Sequence, residues 1–101
     1  MAEKVKGTTS SGFDFSIDAD VFKDWRLLKA MRKANSKDGE EQFDASFEVV
    51  SLIFNDPEEE ERFYSFLADK NGGRVPAEVV GAEIGEIMKQ VREKNKAAKN
   101  S

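Results

Sequence analysis

Carboxylates are the side chains in this sequence with the clearest capacity for chemistry. The 101 residues include 20 Asp and Glu but no His and no Cys, so the usual proton carrier near neutral pH and the usual thiol nucleophile are both missing. Asp20 and Asp24 are four residues apart and can share one face of a helix, as paired acid–base catalysis would require. Because no pocket or charged partner is indicated near them, we assign them to helix capping and solubility.

Two other patterns invite a chemical interpretation but fit a structural one better. The acidic run Glu58–Glu61 lacks the alternating ligands and glycine bend of a calcium loop, and it follows Asp56-Pro57, which is typical of a helix start. Gly72-Gly73-Arg74 lacks the Gly-Lys-Ser/Thr ending of a phosphate-binding loop and is typical of a helix end. We therefore predict no catalytic residue, no metal site and no cofactor, and a role that is not enzymatic.

Composition narrows the class of protein further. Charged residues make up 36% of the chain and hydrophobic residues 39%, which is typical of one soluble domain. The formal net charge of −4 argues against nucleic-acid binding, because phosphate contacts need a concentrated cationic face. No apolar run approaches the ~20 residues of a membrane span, and residues 1–6 lack the apolar stretch of a signal peptide. These features predict a cytoplasmic protein with no membrane partner.

An N-terminal β-hairpin is predicted for residues 4–18. Phe13, Phe15 and Ile17 alternate with polar residues, which places three apolar side chains on one face of a strand. Residues 8–12, Thr-Thr-Ser-Ser-Gly, supply the turn, and Val5 is the clearly apolar residue of the partner strand. Because an isolated hairpin is marginally stable in water, this one is expected to lie against helices.

The next two segments are predicted to be helices with broad apolar faces. The first starts after Asp18 or Asp20. One line along it carries Val21, Trp25, Leu28 and Arg32, with Leu27 and Met31 beside this line. The second covers residues 41–55, and its inner line carries Phe43, Phe47, Val50 and Phe54. Because this apolar arc is wide, we expect the second helix to be central, although its β-branched residues leave a strand as the alternative.

Two further helices complete the predicted fold. The third starts at Asp56-Pro57, ends at Asn71-Gly72-Gly73, and its inner face carries Phe63, Phe66 and Leu67. The fourth runs from Ala77 to about Ala97, with an inner line of Val80, Ile84, Ile87 and Val91. The prediction is a mainly α fold, a small four-helix domain with an N-terminal β-hairpin. Residues 1–93 form this domain, and residues 94–101 form a basic, flexible tail because the apolar pattern stops at Val91.

Two aromatic residues at the edges of their apolar stripes are candidates for a partner surface. Phe22 and Tyr64 occupy these positions, and exposed aromatic side chains tend to carry binding energy. Partial burial where the hairpin meets the helices is an equally good interpretation.

Short segments along most of the chain give a family resemblance. They are Ser11–Asp18, Asp24–Leu28, Gly73–Pro76, Ala82–Ile87 and Lys99–Ser101. With this layout the chain resembles the tail assembly chaperones of long-tailed (siphovirus-type) bacteriophages and prophages of Gram-positive bacteria. The resemblance implies a protein of the host cytoplasm that binds the tape measure protein, keeps it soluble, helps to recruit the major tail protein and is absent from the mature virion. It also implies a longer form made by ribosomal frameshifting near Lys94-Asn95 or Lys99-Asn100, and it leaves a homo-oligomer open.

Hydrophobic masking is the mechanism that follows from the resemblance. A tape measure protein exposes long amphipathic helices before the tail tube closes around it, and an acidic helical domain with an apolar groove can cover them. The candidate groove residues are Phe22, Trp25, Tyr64, Met88 and Val91. The alternative function is a minor structural or tail-completion protein that is retained in the virion.

Overall fold

The hairpin consists of β1 (Lys4–Thr8) and β2 (Asp14–Asp18), which pair antiparallel. A computed structural model describes the backbone of residues 3–100 and the side chains of residues 3–96. In the connecting turn the Gly12 N–H donates to the Thr9 carbonyl at 2.9 Å, and Gly12 has a φ of +100°, a backbone conformation that favours glycine. The predicted hairpin is therefore confirmed, with its turn at the predicted residues.

The apolar face of the hairpin forms part of the core. Phe13, Phe15 and Ile17 are all buried, as the alternation predicts. The Phe13 ring lies 5.2 Å from the Phe63 ring and 6.3 Å from the Phe54 ring, measured between centroids. Aromatic contacts thus tie the hairpin to the second and third helices.

Helix α1 (Trp25–Ala34) begins later than predicted. A short 3-10 helix, Val21–Lys23, comes first, and the extended backbone of Asp24 separates it from α1. The Asp24 carboxylate accepts a hydrogen bond from the Arg26 N–H at 2.9 Å, so Asp24 caps the helix and the predicted caps, Asp18 and Asp20, do not. The predicted line is confirmed at Val21, which is buried, but because the chain bends at Asp24 it is wrong for Trp25 and Leu28, which are exposed. The buried α1 residues are Leu27 and Ala30, and Trp25 points outward.

Helix α2 (Gly39–Phe54) lies against α1 along one side and against β2 and the third helix at its C-terminal end. The structure confirms the helix over the strand alternative, and Asp38 caps it by accepting from the Glu40 N–H at 3.0 Å. Its predicted inner line is confirmed at Val50 and Phe54, which are buried. The prediction is wrong for the N-terminal half of this line, where Phe43 and Phe47 are exposed.

Helix α3 (Pro57–Lys70) has the predicted ends. The Asp56 carboxylate accepts from the Glu58 N–H at 3.0 Å. At the other end the Gly73 N–H donates to the Ala68 carbonyl at 2.7 Å across Gly72, whose φ is +68°. This is a Schellman motif, which stops the helix and turns the chain toward the last helix.

Helix α4 (Ala77–Asn100) lies across the hairpin. Its buried residues include Ile84, Ile87 and Val91, as the predicted inner line requires. The helix continues past residue 93, so the secondary structure does not change at the predicted domain boundary. Asn95 donates to the Ala19 carbonyl at 2.9 Å. The flexibility of residues 94–101 stays a prediction, and Ser101 lies outside the described residues.

The architecture between residues 3 and 100 is therefore a four-helix domain with an N-terminal hairpin, as predicted. Its Cα radius of gyration is 13.8 Å and its extents are 41 × 31 × 21 Å. Among the helices described, none combines the length and the apolar content that crossing a bilayer requires.

Candidate interaction surface

Two exposed phenylalanines form the most prominent apolar feature of the α2 surface. Phe43 is 60% exposed and Phe47 is 58% exposed, and the two rings pack edge to face with centroids 4.9 Å apart. They are one helical turn apart, so they present a continuous apolar contact. Such stacked aromatics in contact with water are a common feature of protein-binding surfaces.

The fold explains why this pair is exposed. The apolar line of α2 continues from Phe43 and Phe47 to Val50 and Phe54. Where the line reaches Phe54, the Phe13 and Phe63 rings cover it. Along the N-terminal half, α1 covers the side of α2 that carries buried Ala45, and the aromatic pair lies on a different side. The same apolar line is therefore core at one end and surface at the other.

Carboxylates border the aromatic pair. Glu40, Asp44 and Glu48 follow one another at intervals of four residues, which places them on one line of α2 beside the two rings, and all three are exposed. Together with Phe43 and Phe47 they form what we call the aromatic–acidic face. Its chemistry suits an apolar side chain flanked by positive charge.

The five predicted partner-binding residues have different environments. Trp25 is 78% exposed on α1, whereas Phe22, Tyr64 and Met88 are half-buried against the core. Val91 is wrong as a surface candidate, because it lies on the inner face of α4 and is 1% exposed.

The half-buried aromatics also contact different parts of the fold. The guanidinium of Arg92 lies 4.7 Å from the centre of the Phe22 ring, which attaches Phe22 to α4. The Tyr64 hydroxyl donates to the Glu60 carboxylate at 2.9 Å, next to α2. Phe22 and Tyr64 are thus attached to different elements, and a role of the exposed and half-buried candidates in partner binding stays a prediction.

The perturbed titratable groups belong to structural contacts. Burial, aided by the hydrogen bond to Glu60, raises the pKa of Tyr64 to about 12. The hydrogen bond from Arg26 lowers the pKa of Asp24, the helix cap. Hydrogen bonds from Ser10 lower the pKa of Glu86, which attaches α4 to the hairpin turn. Each shift is explained by a helix cap, a half-buried ring or a contact between two elements.

A cleft beside the hairpin offers no reactive set of side chains. Arg62, Glu59 and Asp14 line it. The Arg62 guanidinium donates to the Glu59 carboxylate at 2.8 Å and also to the Asp14 carbonyl, so its charge and donors are already engaged. Across the described part of the chain, no three Asp or Glu side chains approach closely enough to hold a metal ion.

The sequence pattern does not predict the aromatic–acidic face. A helical period shows which residues share one line of a helix, but it does not show how far a neighbouring element covers that line. The signal that could have found this face is the acidic line next to Phe43 and Phe47, since a line flanked by carboxylates in its first two turns is poorly suited to burial. Comparison of the chain with protein-family models, with curated protein sequences and with solved structures found no match.

Proposed function

We propose that this chain is a tail assembly chaperone of long-tailed bacteriophages or prophages that acts without catalysis. In this role it binds amphipathic helices of the tape measure protein, keeps that protein soluble and helps to recruit the major tail protein. The observation that carries the proposal is the exposed, stacked pair of Phe43 and Phe47 beside a line of carboxylates. The sequence resemblance supplies the identity of the client.

The aromatic pair provides the attraction. Covering the exposed parts of two phenylalanine side chains contributes about 2–4 kcal/mol, because full burial of one such side chain is worth about 1.5–3 kcal/mol. Association of two molecules costs at least about 4 kcal/mol, so one copy on one client helix binds weakly. A tape measure protein offers many amphipathic segments, and many copies of the chaperone along it gain strength through avidity.

The carboxylates provide selectivity and solubility. Glu40, Asp44 and Glu48 attract a client helix that carries Lys or Arg beside its apolar line. Once the apolar line is covered, the net charge of −4 on each bound copy keeps the complex dispersed in the host cytoplasm. When the tail tube forms, tube subunits replace the chaperone, which is therefore absent from the mature virion.

A co-expression experiment tests the proposal. The chain is expressed with the long, helix-rich protein encoded beside it, and the amount of that protein in the soluble fraction and in the affinity-purified complex is measured. The Phe43→Ser, Phe47→Ser double variant is expected to lose at least about tenfold of the co-purified client, since the two anchors are removed. Its thermal stability should stay close to that of the wild type, because both side chains are exposed.

Val75→Ser is the matched control, because Val75 is an exposed apolar residue outside the helices and distant in sequence from the aromatic–acidic face. This variant should retain the client. Equal recovery of the client with the double variant would remove the aromatic pair from the proposal. Detection of the chain by mass spectrometry in purified virions would favour the alternative of a retained structural protein.

A further inference from the structure

The outer surface of α1 carries a second exposed patch. Trp25 and Leu28 are three residues apart, so their side chains are neighbours on the helix surface, and they are 78% and 44% exposed. Leu27 and Ala30, which are buried, define the side of α1 that faces the core. A tryptophan in this position is costly to leave in water and is the residue type most enriched among interface anchors.

Positive charge surrounds this pair. Helix α1 contains four cationic residues and no carboxylate, although the net charge of the chain is −4. The Asp24 carboxylate pairs with the Arg26 guanidinium at 2.8 Å. The other three cations form no ion pair among the side chains of residues 3–96, and they are Lys29, Arg32 and Lys33.

These three cations also line a common cleft. Lys29, Arg32 and Lys33 border it together with Ser36 and Glu41, where α1 meets the start of α2. An anionic group that enters the cleft meets three positive side chains and one negative side chain. The apolar pair and the cationic cleft form what we call the basic face, which consists of Trp25, Leu28, Lys29, Arg32 and Lys33.

We propose that the basic face is a second docking surface, for an acidic amphipathic helix of a protein partner. An apolar side chain of the partner covers Trp25 and Leu28, and carboxylates beside it enter the cleft of Lys29, Arg32 and Lys33. Charge complementarity identifies this partner, since Lys29, Arg32 and Lys33 line one cleft and form no ion pair among the described side chains. The proposal is independent of the role assigned to the aromatic–acidic face.

The surroundings favour a short acidic protein segment over a nucleic acid. The basic face is about 15 Å long, the length of a ten-residue helix. Beyond it a second cleft is lined by Lys33 and by the carboxylates at the start of α2, which are Asp38, Glu40, Glu41, Asp44 and Glu48. A phosphate backbone carries charge continuously and would be repelled there, whereas a short helix can end before it.

The burial of α1 also argues against a membrane surface. A helix that lies on a membrane inserts its apolar side among the lipids. In α1 that side, with Leu27 and Ala30, is packed into the protein core. Trp25 and Leu28 alone remain as exposed apolar residues of this helix, an area that suits a small protein contact better than a bilayer.

Fluorescence of Trp25 tests the proposal directly, because this residue is the only tryptophan in the chain. The probes are a synthetic helical peptide of about 14 residues with leucines on one face and glutamates beside them, and a matched peptide with lysine in place of each glutamate. The glutamate peptide should shift the Trp25 emission to shorter wavelength and bind more weakly as salt increases. The lysine peptide should cause no shift at the same concentrations.

Charge-reversal variants locate the effect. Lys29→Glu with Arg32→Glu is expected to weaken binding of the glutamate peptide at least about tenfold. Arg74→Glu with Lys89→Glu makes the same change in net charge at exposed positions outside α1 and should leave the affinity unchanged. Lys29→Gln with Arg32→Gln provides a second, milder variant, and circular dichroism checks that each variant is folded.

Several outcomes would overturn the proposal. One is the absence of an emission shift with the glutamate peptide up to about 1 mM, since a specific contact of this size should bind at least that tightly. Another is an equal loss of peptide affinity in the two pairs of charge-reversal variants. Tighter binding of mixed-sequence single-stranded DNA, or of phosphatidylglycerol vesicles, would assign the basic face to another class of ligand. A concentration-dependent increase in mass, abolished by Lys29→Glu with Arg32→Glu, would show that a second copy of the chain is the occupant.

Discussion

Glu83 on α4 shows that one buried group of the core is not satisfied. The residue is 4% exposed, and its Oε1 atom is buried with no hydrogen-bond partner among the described residues. A buried polar atom without a partner costs about 1–3 kcal/mol. Selection for stability alone would not keep such a group on the inner side of a helix.

Replacement of this carboxylate should therefore stabilise the protein. Glu83→Met keeps the length of the side chain and removes the unsatisfied oxygen, so the free energy of unfolding should rise by about 1 kcal/mol. Urea denaturation followed by circular dichroism measures it. Glu93→Met, at an exposed position of the same helix, should change the stability by less than about 0.5 kcal/mol. A destabilised Glu83→Met variant would mean that the carboxylate has a favourable partner.

Gly7 in β1 is required by a close approach of other side chains. A Cβ atom at this position would lie 2.6 Å from the Phe15 ring and 2.6 Å from Gln90 Oε1. Phe15 is buried and cannot move away easily, although the end of Gln90 can.

We expect Gly7→Ala to lower the free energy of unfolding by about 1–3 kcal/mol, the usual cost of overpacking a core. Thermal or urea denaturation would measure the loss. Gly81→Ala, on α4, is the matched control, because nothing lies within 4 Å of the position of its Cβ. That control should gain about 0.5–1 kcal/mol from better helix propensity. Unchanged stability of Gly7→Ala would show that the Phe15 ring and the end of Gln90 move aside at little cost.

Glu86 makes the attachment of α4 to the hairpin turn sensitive to acid. Its carboxylate accepts hydrogen bonds from the Ser10 N–H and hydroxyl, both at 2.6 Å, and these bonds lower the pKa of Glu86. A carboxylate with a lowered pKa in the folded state stabilises the fold above its unfolded pKa, and that contribution disappears as the pH falls through the folded pKa.

Stability measured between about pH 6 and pH 3 should therefore fall more steeply for the wild type than for Glu86→Gln, and the two curves should converge at the acid end. Glu93→Gln, with an exposed side chain, should follow the wild-type curve. Parallel curves for the wild type and Glu86→Gln would contradict the assigned role of these hydrogen bonds.

At the level of the elements, the sequence predicts best where local chemistry decides the structure. Asp56, Pro57 and the glycines after Asn71 define the two ends of α3, because a cap, a fixed φ and a left-handed residue are local requirements. The alternation of Phe13, Phe15 and Ile17 defines the buried face of β2 in the same way.

Prediction of the buried faces from the sequence fails where a tertiary contact decides which side of a helix is covered. The line from Val21 to Trp25 assumes one continuous helix, and the extended Asp24 interrupts it and rotates α1 so that Trp25 faces solvent. The line on α2 has the correct period, but the period contains no information on where β2 and α3 stop covering it. Both candidate surfaces arise at these two places. Trp25, which is also a predicted partner-binding residue, is exposed on α1, and Phe43 and Phe47 are exposed on α2.

At the level of the whole molecule, the charge is distributed unevenly. The first helix is basic and the first half of the second is acidic, and these neighbouring helices carry both exposed aromatic surfaces. The buried residues of this helix pair belong to the same core as those of the hairpin, α3 and α4. We accordingly propose client binding on α2 and a second partner on α1, with a structural role for the rest of the described chain.

The contacts of α4 with β1 have a consequence for self-aggregation. The carbonyls of Lys6 and Thr8 point away from β2, and they accept hydrogen bonds from the side chains of Lys94 and Gln90. A two-stranded sheet with an open edge can template strand addition by an unfolded chain, and here the outer edge of β1 is closed by a helix. The side chains of α4 therefore occupy hydrogen-bond acceptors that an added strand would need, which limits growth of the sheet from β1.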